Sequence, residues 1–457
     1  MPGVSLGIND GRDSIASSAI LLKAEIVIMN LAEIKVKATN LFQSGLAQDT
    51  LWMLLSKLFN VIMQAGYFII VARLLGKENY GSFIVITASA SIIFPFVALG
   101  SEHILVKNVA TNKASFSTYW GNTLVLLTSN GALLTVGLLL LSPLIFPGNI
   151  PWVTILLILV ADLICLGLVD TSYKALVAAN MVKKTAQLGV LSTCGKLLAA
   201  LSLAAFFSQP TIAIWSYLYF ISSVVTAAIS ILVVNKIVAP PHPVFSELKS
   251  NIGQGLYFSI SASANNINAG LDKSMLGKLS NVAAAGIYGS AYRFIDVGNV
   301  FLLALFGASY TRFFQHGASG IKGSLAFAKR LLPILVFYAV VSVIGYLLLA
   351  PFIPIILGEE YREAINALLW LSPIPAIAAF QYLGADTLTG SGHQKARSIV
   401  QVSAAILNIL LNIVLIPRFS WQGAAWATLI SDSLRLICLW IIVLLLYRRV
   451  NREANES

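Results

Sequence analysis

A chain of 457 residues with 58% hydrophobic residues, 11% charged residues and a mean hydropathy of +0.83 is not composed like a soluble domain, which carries roughly a quarter charged residues. Its formal net charge of +11 does not point to nucleic acid, because the basic residues lie between apolar runs, where they set membrane orientation and meet anionic lipid head groups. Cys165, Cys194 and Cys438 sit far apart inside apolar runs, and His103, His242, His316 and His393 are scattered, so neither a metal nor a cofactor is expected.

In chain order, residues 1–48 come first as an extension. Ile15 to Met29 is moderately apolar but interrupted by Lys23 and Glu25 and lacks a small-residue cleavage site. It reads as a cytoplasmic segment with an interfacial helix rather than as a signal peptide. Apolar runs of about twenty residues come next, the length of a helix crossing a ~30 Å hydrocarbon layer. Six begin near Leu51, Gly81, Tyr119, Trp152, Ala186 and Thr211, and six more near Ile252, Ala283, Leu331, Ala364, Ser398 and Gln422. The longest polar connections are expected around Pro240–Lys249 and Arg312–Lys329. Neither is large enough for a catalytic domain.

Eighteen lysines and arginines, among them Lys107, Lys174, Lys184, Lys395, Arg397 and Arg448, fall on one set of faces. Six (Arg73, Lys77, Lys273, Lys278, Arg362 and Arg418) fall on the other. This bias places both termini in the cytoplasm. The class expected is an all-α membrane protein of about twelve spans. The extension (1–48) precedes a first lobe (49–238), a second lobe (239–447) and a cytoplasmic tail (448–457).

The lobes look related. Leu75-Gly76-Lys77 with Tyr80-Gly81-Ser82 recurs as Leu276-Gly277-Lys278 with Tyr288-Gly289-Ser290. Lys184 matches Lys395 and Trp215 matches Trp426 at one offset of 211 residues (395 − 184 and 426 − 215). Six helices repeated about an axis along the membrane normal is a recurring transporter plan.

Polar groups in hydrocarbon are expensive, so their positions carry information. Lys57, Asn60 and Gln64 form one stripe on the first span, and Ser261, Asn265, Asn268 and Asp272 form another on the seventh. The repeat superposes Gln64 on Asn265. Tyr292, Asp296 and Asn299 share a face of the eighth span, with Arg293 beside them. Asp162 and Lys196 lie at similar depth if the fourth and fifth spans turn near Asn180, and are expected to pair, either structurally or as a coupling pair. Gln401, Asn408 and Asn412 mark the eleventh span, Asp432 and Arg435 the twelfth. Such amides also glue helices together. Fixed cations suit a phosphate and amide stripes suit sugar hydroxyls. The combination points to a phosphorylated, hydroxyl-rich cargo held by Lys57, Asn60, Gln64, Asn265, Asn268, Asp272, Arg293, Asp296 and Arg435.

Three blocks carry a resemblance. They are Ala72 to Gly81; Asp272 to Gly277 with Ala285 to Gly289 and Ala291-Tyr292; and Asn412 to Pro417 with Gly423 to Thr428. From about Leu51 onward the chain resembles the Wzx-type O-antigen and exopolysaccharide flippases. These form the polysaccharide transporter branch of the superfamily that also holds multidrug exporters and the lipid II flippase. The resemblance implies an inner-membrane protein that moves undecaprenyl-diphosphate-linked oligosaccharide units to the outer leaflet by alternating access. It implies no bond chemistry, and a polysaccharide polymerase and chain-length regulator as partners besides membrane lipids.

Two other readings stay open at this level. A multidrug exporter of the same fold would place a carboxylate in the first lobe's cavity, where the first span here carries Lys57 and Asp162 is the remaining candidate. Lipid II or a teichoic acid intermediate is an alternative cargo. A membrane-embedded enzyme would need a gathered catalytic set, and none is visible in the sequence.

Overall fold

The computed structural model describes residues 45–244, 256, 259, 263, 266, 267 and 270–456. Side chains are described from Phe59 onward, apart from 110, 111, 182, 311 and 453–456. The chain divides into two units, Met1–Leu58 and Phe59–Ser457. Of the first unit the helical backbone from Gly45 is described; the second carries the rest of that helix and every other described one. The stretch from Ile15 to Met29, the side chain of Lys57, and Ser261, Asn265 and Asn268 of the seventh span all lie outside the described residues.

Every described element is helical, as the hydropathy demands: in hydrocarbon each backbone polar group must bond within its own segment. The helices are α1 (Gly45–Ile93), α2 (Ser101–Thr111), α3 (Phe116–Leu140), α4 (Trp152–Ala178), α5 (Val182–Phe206) and α6 (Ile212–Ile237). Then come α7 (Val282–Gly317), α8 (Ile321–Leu349), α9 (Glu363–Leu371), α10 (Ile374–Gly390) and α11 (Gln394–Glu456). Nine helical segments among the described residues are long and apolar enough to cross a membrane. Two of these are each a pair of helices meeting at a kink, α1 at Gly76 and α11 at Ser420. That makes eleven rods beside the seventh predicted span, in line with the twelve expected.

Local chemistry explains where the rods end. Gly76 has φ +66°, and a Cβ there would come within 2.5 Å of a Glu360 carboxylate oxygen, so only glycine makes this turn cheaply. Asn180 takes φ +58° between α4 and α5, a conformation asparagine tolerates. Thr211 and Asn281 cap α6 and α7, accepting from the backbone N–H of Ile214 (3.3 Å) and Ala284 (2.8 Å).

Two expectations are corrected. Arg312–Lys329 is not a long polar connection, because α7 runs to Gly317 and α8 starts at Ile321. Apolarity stops there but the helices do not. A helix, α2, also occupies Ser101–Thr111, where none was predicted. With Glu102, His103 and Lys107 in its sequence, it falls below the hydropathy of a span.

The outside of the bundle is oily and the inside partly polar. Leu140, Phe206 and Phe337 are 77%, 80% and 70% exposed, which suits lipid. Buried Ser172, Ser230 and Thr387 instead bond back to the carbonyl four residues earlier. From α2 onward, close packing falls into two groups, α2 to α6 and α7 to α11. The second limb of α1 joins them. A Cβ on Gly81 would sit 1.7 Å from the Val282 carbonyl oxygen and one on Gly286 2.1 Å from that of Lys77, so the backbones touch. Tyr361 donates to the Ala72 carbonyl (3.0 Å), Arg73 to that of Ile355 (3.3 Å) and Lys278 to that of Pro143 (2.7 Å). These contacts close one end of the bundle, the end that carries the minority cations.

The repeated motifs keep their place but not always their backbone. Lys184 and Lys395 both open a helix, near the starts of α5 and α11. Gly76 turns the chain, whereas Gly277 stays helical and lies against Val85.

Candidate functional site

Away from the closed end the two groups part around a chamber of about 490 Å³. Its walls come from both. The first limb of α1 contributes Gln64, Tyr67 and Phe68, the second limb Phe83, Thr87 and Ser91, and the turn just after it Phe94. From α4 comes Asp162, from α5 Ser192, Thr193 and Lys196, and from α6 Tyr219. Asn266 and, on α7, Arg293, Phe294, Asp296, Val297 and Val300 complete it.

Asp162 is placed by an irregularity. Residues Val160–Cys165 form a π-helical turn inside α4, a distortion that recurs at functional sites. Its Oδ1 accepts a 2.6 Å hydrogen bond from the Tyr219 hydroxyl. The Lys196 Nζ lies over the Tyr219 ring, 5.3 Å from its centroid, a cation–π distance. Asp162 and Lys196, expected to pair, thus share Tyr219, which bonds the carboxylate through its hydroxyl and carries the ammonium over its ring. No described carboxylate lies within 4 Å of Lys196 or of Arg293. Arg293 faces the cavity and interacts with Tyr80, Asp296 and Tyr67.

Among the described lining residues the charges balance, with Lys196 and Arg293 against Asp162 and Asp296. Lys57, another cation proposed for the cavity, lies outside the described side chains. Arg435, proposed as a third cation, is absent from the lining. It pairs with Asp432 at 3.1 Å and bonds to Gln381, whose amide in turn donates to the Asp432 carbonyl.

The remaining candidates divide. Gln64, Arg293 and Asp296 line the chamber together with Asp162 and Lys196. Asn60 lies off it, beside Gly189 of α5. Asp272 is also elsewhere: buried in the second group, it accepts from the Tyr288 hydroxyl (2.6 Å) and the Lys273 backbone (2.8 Å). Asn412 donates to Asn408 and Asn408 to Ser431 (2.9 and 3.0 Å), tying the two limbs of α11. Sequence reasoning passed over Tyr67, Tyr219, Phe83, Phe294 and the Ser192-Thr193 pair. The serine and threonine share a helical stripe with Lys196, a readable signal; the aromatic residues look like ordinary span residues.

A second cavity, of about 210 Å³, shares Phe94 and Asn266 with the first and is lined by Glu102, His103, Asp170 and Lys174. Here the charges are closed: Lys174 lies 3.2 Å from Glu102 and 3.0 Å from Asp170, with His103 3.6 Å from Glu102. Burial, then the nearby Lys174 charge, push the His103 imidazole below its ordinary value against the pull of Glu102 and Asp170.

A family model described as polysaccharide biosynthesis protein matches residues 46–316. No curated protein matches. Among solved structures, the fold is similar to an inward-facing multidrug resistance MATE family transporter of the MOP superfamily. That match has a TM-score of 0.68 at 13% identity and covers 87% of this chain and 96% of the other. It is also similar to the lipid II flippase MurJ in an inward closed conformation, with TM-score 0.63, 13% identity, and 86% and 87% covered. A MOP superfamily transporter from Pyrococcus furiosus, whose structure is described as having a binding pocket of reverse polarity, matches at TM-score 0.54 and 14% identity, with 87% and 95% covered.

Proposed function

This chain belongs to the polysaccharide biosynthesis protein family, and on that footing we propose that it is a flippase for undecaprenyl-diphosphate-linked oligosaccharides, carrying them from the cytoplasmic to the outer leaflet for surface polysaccharide assembly. The observation that carries the reading is a chamber between the two helix groups with one cation from each: Lys196 on α5 and Arg293 on α7. A desolvated diphosphate gains most from such fixed donors. Around them, Gln64, Thr87, Ser91, Ser192, Thr193 and Asn266 offer donors and acceptors to sugar hydroxyls, and Tyr67, Phe83 and Tyr219 offer apolar faces to sugar rings.

In this mechanism no bond is made or broken. The lipid tail stays in hydrocarbon while the head group enters the chamber, and its charge is passed between donors rather than exposed to lipid. Access alternates as the groups rock about the second limb of α1. The protein sits in the inner membrane with both termini cytoplasmic, and the minority cations of the closed end face outward.

The test is Lys196→Ala and Arg293→Ala at native expression. Each should cut surface polysaccharide more than tenfold, with unchanged membrane insertion. Normal export by both would sink the assignment. A second reading, a multidrug exporter of the same fold, draws on Asp162, a carboxylate in the wall contributed by the first group. Drug sensitivity of a deletion strain with intact polysaccharide would favour it.

A further inference from the structure

The chamber poses a problem for its own cargo. A diphosphate must enter a space that already holds two carboxylates, and one of them, Asp162, is presented by a purpose-shaped turn of α4. Three other buried or half-buried carboxylates with a base at hand close on it: Asp170 on Lys174 at 3.0 Å, Asp386 on Arg397 at 3.1 Å and Asp432 on Arg435 at 3.1 Å. Asp162 does not close on Lys196. It is pinned by the Tyr219 hydroxyl at 2.6 Å, while Lys196 hovers 5.3 Å from the centroid of the same ring. A pair built only to hold helices together has no reason to stay apart with a chamber beside it.

We propose that Asp162 is the release residue of the chamber: it stands in as counter-ion to Lys196 when the chamber is empty, and an entering phosphate takes that place. The inference rests on the flippase reading and adds a role to it. A chamber with Lys196 and Arg293 alone would hold a diphosphate too tightly to let it go. Passage needs binding strong enough to admit the ligand and weak enough to free it. Asp162 supplies the second condition, since its charge competes for Lys196 and repels the phosphate throughout residence. Tyr219 sets how hard it competes, by holding the carboxylate back from Lys196. Besides Lys196 and Tyr219, the group acting on Asp162 is Arg293 across the chamber, while Tyr67 on α1 and Cys165 on α4 are the titratable neighbours that Asp162 itself acts on. Arg293 is the one further cation among them, and it is held by the opposite group of helices. As the groups rock, the phosphate's hold on Arg293 loosens and Asp162 recovers Lys196. Asp162 thus acts on the cargo through Lys196 and is a positioning residue.

The experiment measures binding of geranylgeranyl diphosphate to the full chain in lipid nanodiscs, alongside thermal melting and export in cells. Asp162→Asn keeps the hydrogen bond from Tyr219 and removes the charge. It should bind the diphosphate about tenfold more tightly yet export less polysaccharide. Tyr219→Phe frees the carboxylate toward Lys196 and should bind several-fold more weakly. A structural role predicts the reverse pattern, with both variants melting lower and neither binding more tightly. Unchanged or weaker binding by Asp162→Asn at native melting temperature overturns the proposal. Should Asp162→Asn fail to insert, Tyr219→Phe decides alone, and unchanged binding there overturns it too. No binding by the wild-type chain, nor any dependence on Lys196 and Arg293, would overturn the flippase reading and this inference together. Binding that lacks only the opposed effects of the two variants removes the inference and leaves the reading.

Discussion

The closed end of the bundle and the chamber are built from the same helices on opposite principles. At the closed end, backbones touch at Gly81 and Gly286, and the side chains of Arg73, Lys278 and Tyr361 each find a carbonyl. In the chamber, no described carboxylate lies within 4 Å of Lys196 or Arg293, and the Tyr219 ring stands by both Asp162 and Lys196. The closed end gathers direct contacts between the helix groups, and the chamber, on the flippase reading, leaves its charged groups available to a ligand. Alternating access requires that contrast: the seal must be good, but made of contacts that separate as a unit.

The sharpest way to break the contrast is Gly286→Leu. Its Cβ alone would fall 2.1 Å from the Lys77 carbonyl oxygen, and backbone cannot step aside as a side chain can. Overpacking of this kind costs about 1–3 kcal/mol or more, here concentrated on the seal. We expect label pairs spanning Ala72 and Tyr361 to move apart by several ångströms in electron–electron distance measurements, with export abolished. An unchanged distance distribution would mean that the seal is not where the groups close.

Next in size is Arg293→Ala, read on the chamber. Export should fall more than tenfold, a loss of about 1.4 kcal/mol or more in effective binding, while the melting temperature falls by only a few degrees because Arg293 has no described carboxylate within 4 Å to strand. A large drop in melting temperature with intact export would reverse the roles given to the two regions.

Tyr361→Phe probes the seal more gently. It removes one hydrogen bond to the Ala72 carbonyl and keeps the ring that meets Tyr80 edge-on at 6.5 Å. Burial keeps the Tyr361 hydroxyl protonated far above its ordinary range, so it donates at any working pH. The loss should be about 1 kcal/mol in denaturation, with a faster rather than slower export cycle if seal opening limits turnover. Slower export would argue that opening is not limiting.

The split between features legible in the sequence and features hidden in it is one of range. Spans were readable because a run of apolar residues is a local property, and Trp152, Thr211 and Gln422 mark helix starts to within two residues. Gln64, Asp162, Lys196, Arg293 and Asp296 were readable because polar groups inside such runs are costly. Their common destination rests on helical faces and on the repeat. Which cations are spoken for is a different matter. Arg435 looked like a chamber cation even with Asp432 three residues before it, because the amide completing its neutralisation, Gln381, lies 54 residues away on another helix. Tyr219 was invisible for the same reason: nothing local tells an aromatic residue in a span whether its hydroxyl will meet lipid or the carboxylate of Asp162, 57 residues before it.

The smallest expected effect lies beside the chamber rather than in it. On α2, His103 meets Glu102 at 3.6 Å, and Lys174 bridges Glu102 and Asp170. Burial and the Lys174 charge hold the imidazole below its ordinary value, so the folded chain prefers it neutral. An unfolded chain protonates the same histidine near pH 6.5. Between that pH and the lower folded value the unfolded state binds more protons, so stability rises with pH there. The contribution is whole above pH 6.5 and is lost as the pH falls through and below it. Wild-type protein should therefore lose melting temperature between about pH 7.5 and 5.5, by no more than a few degrees given the half-exposed ring, and His103→Gln should lose less. Equal slopes in the two proteins would show that the closed cluster of Glu102, Asp170 and Lys174 already fixes the charge state of this cavity without the histidine.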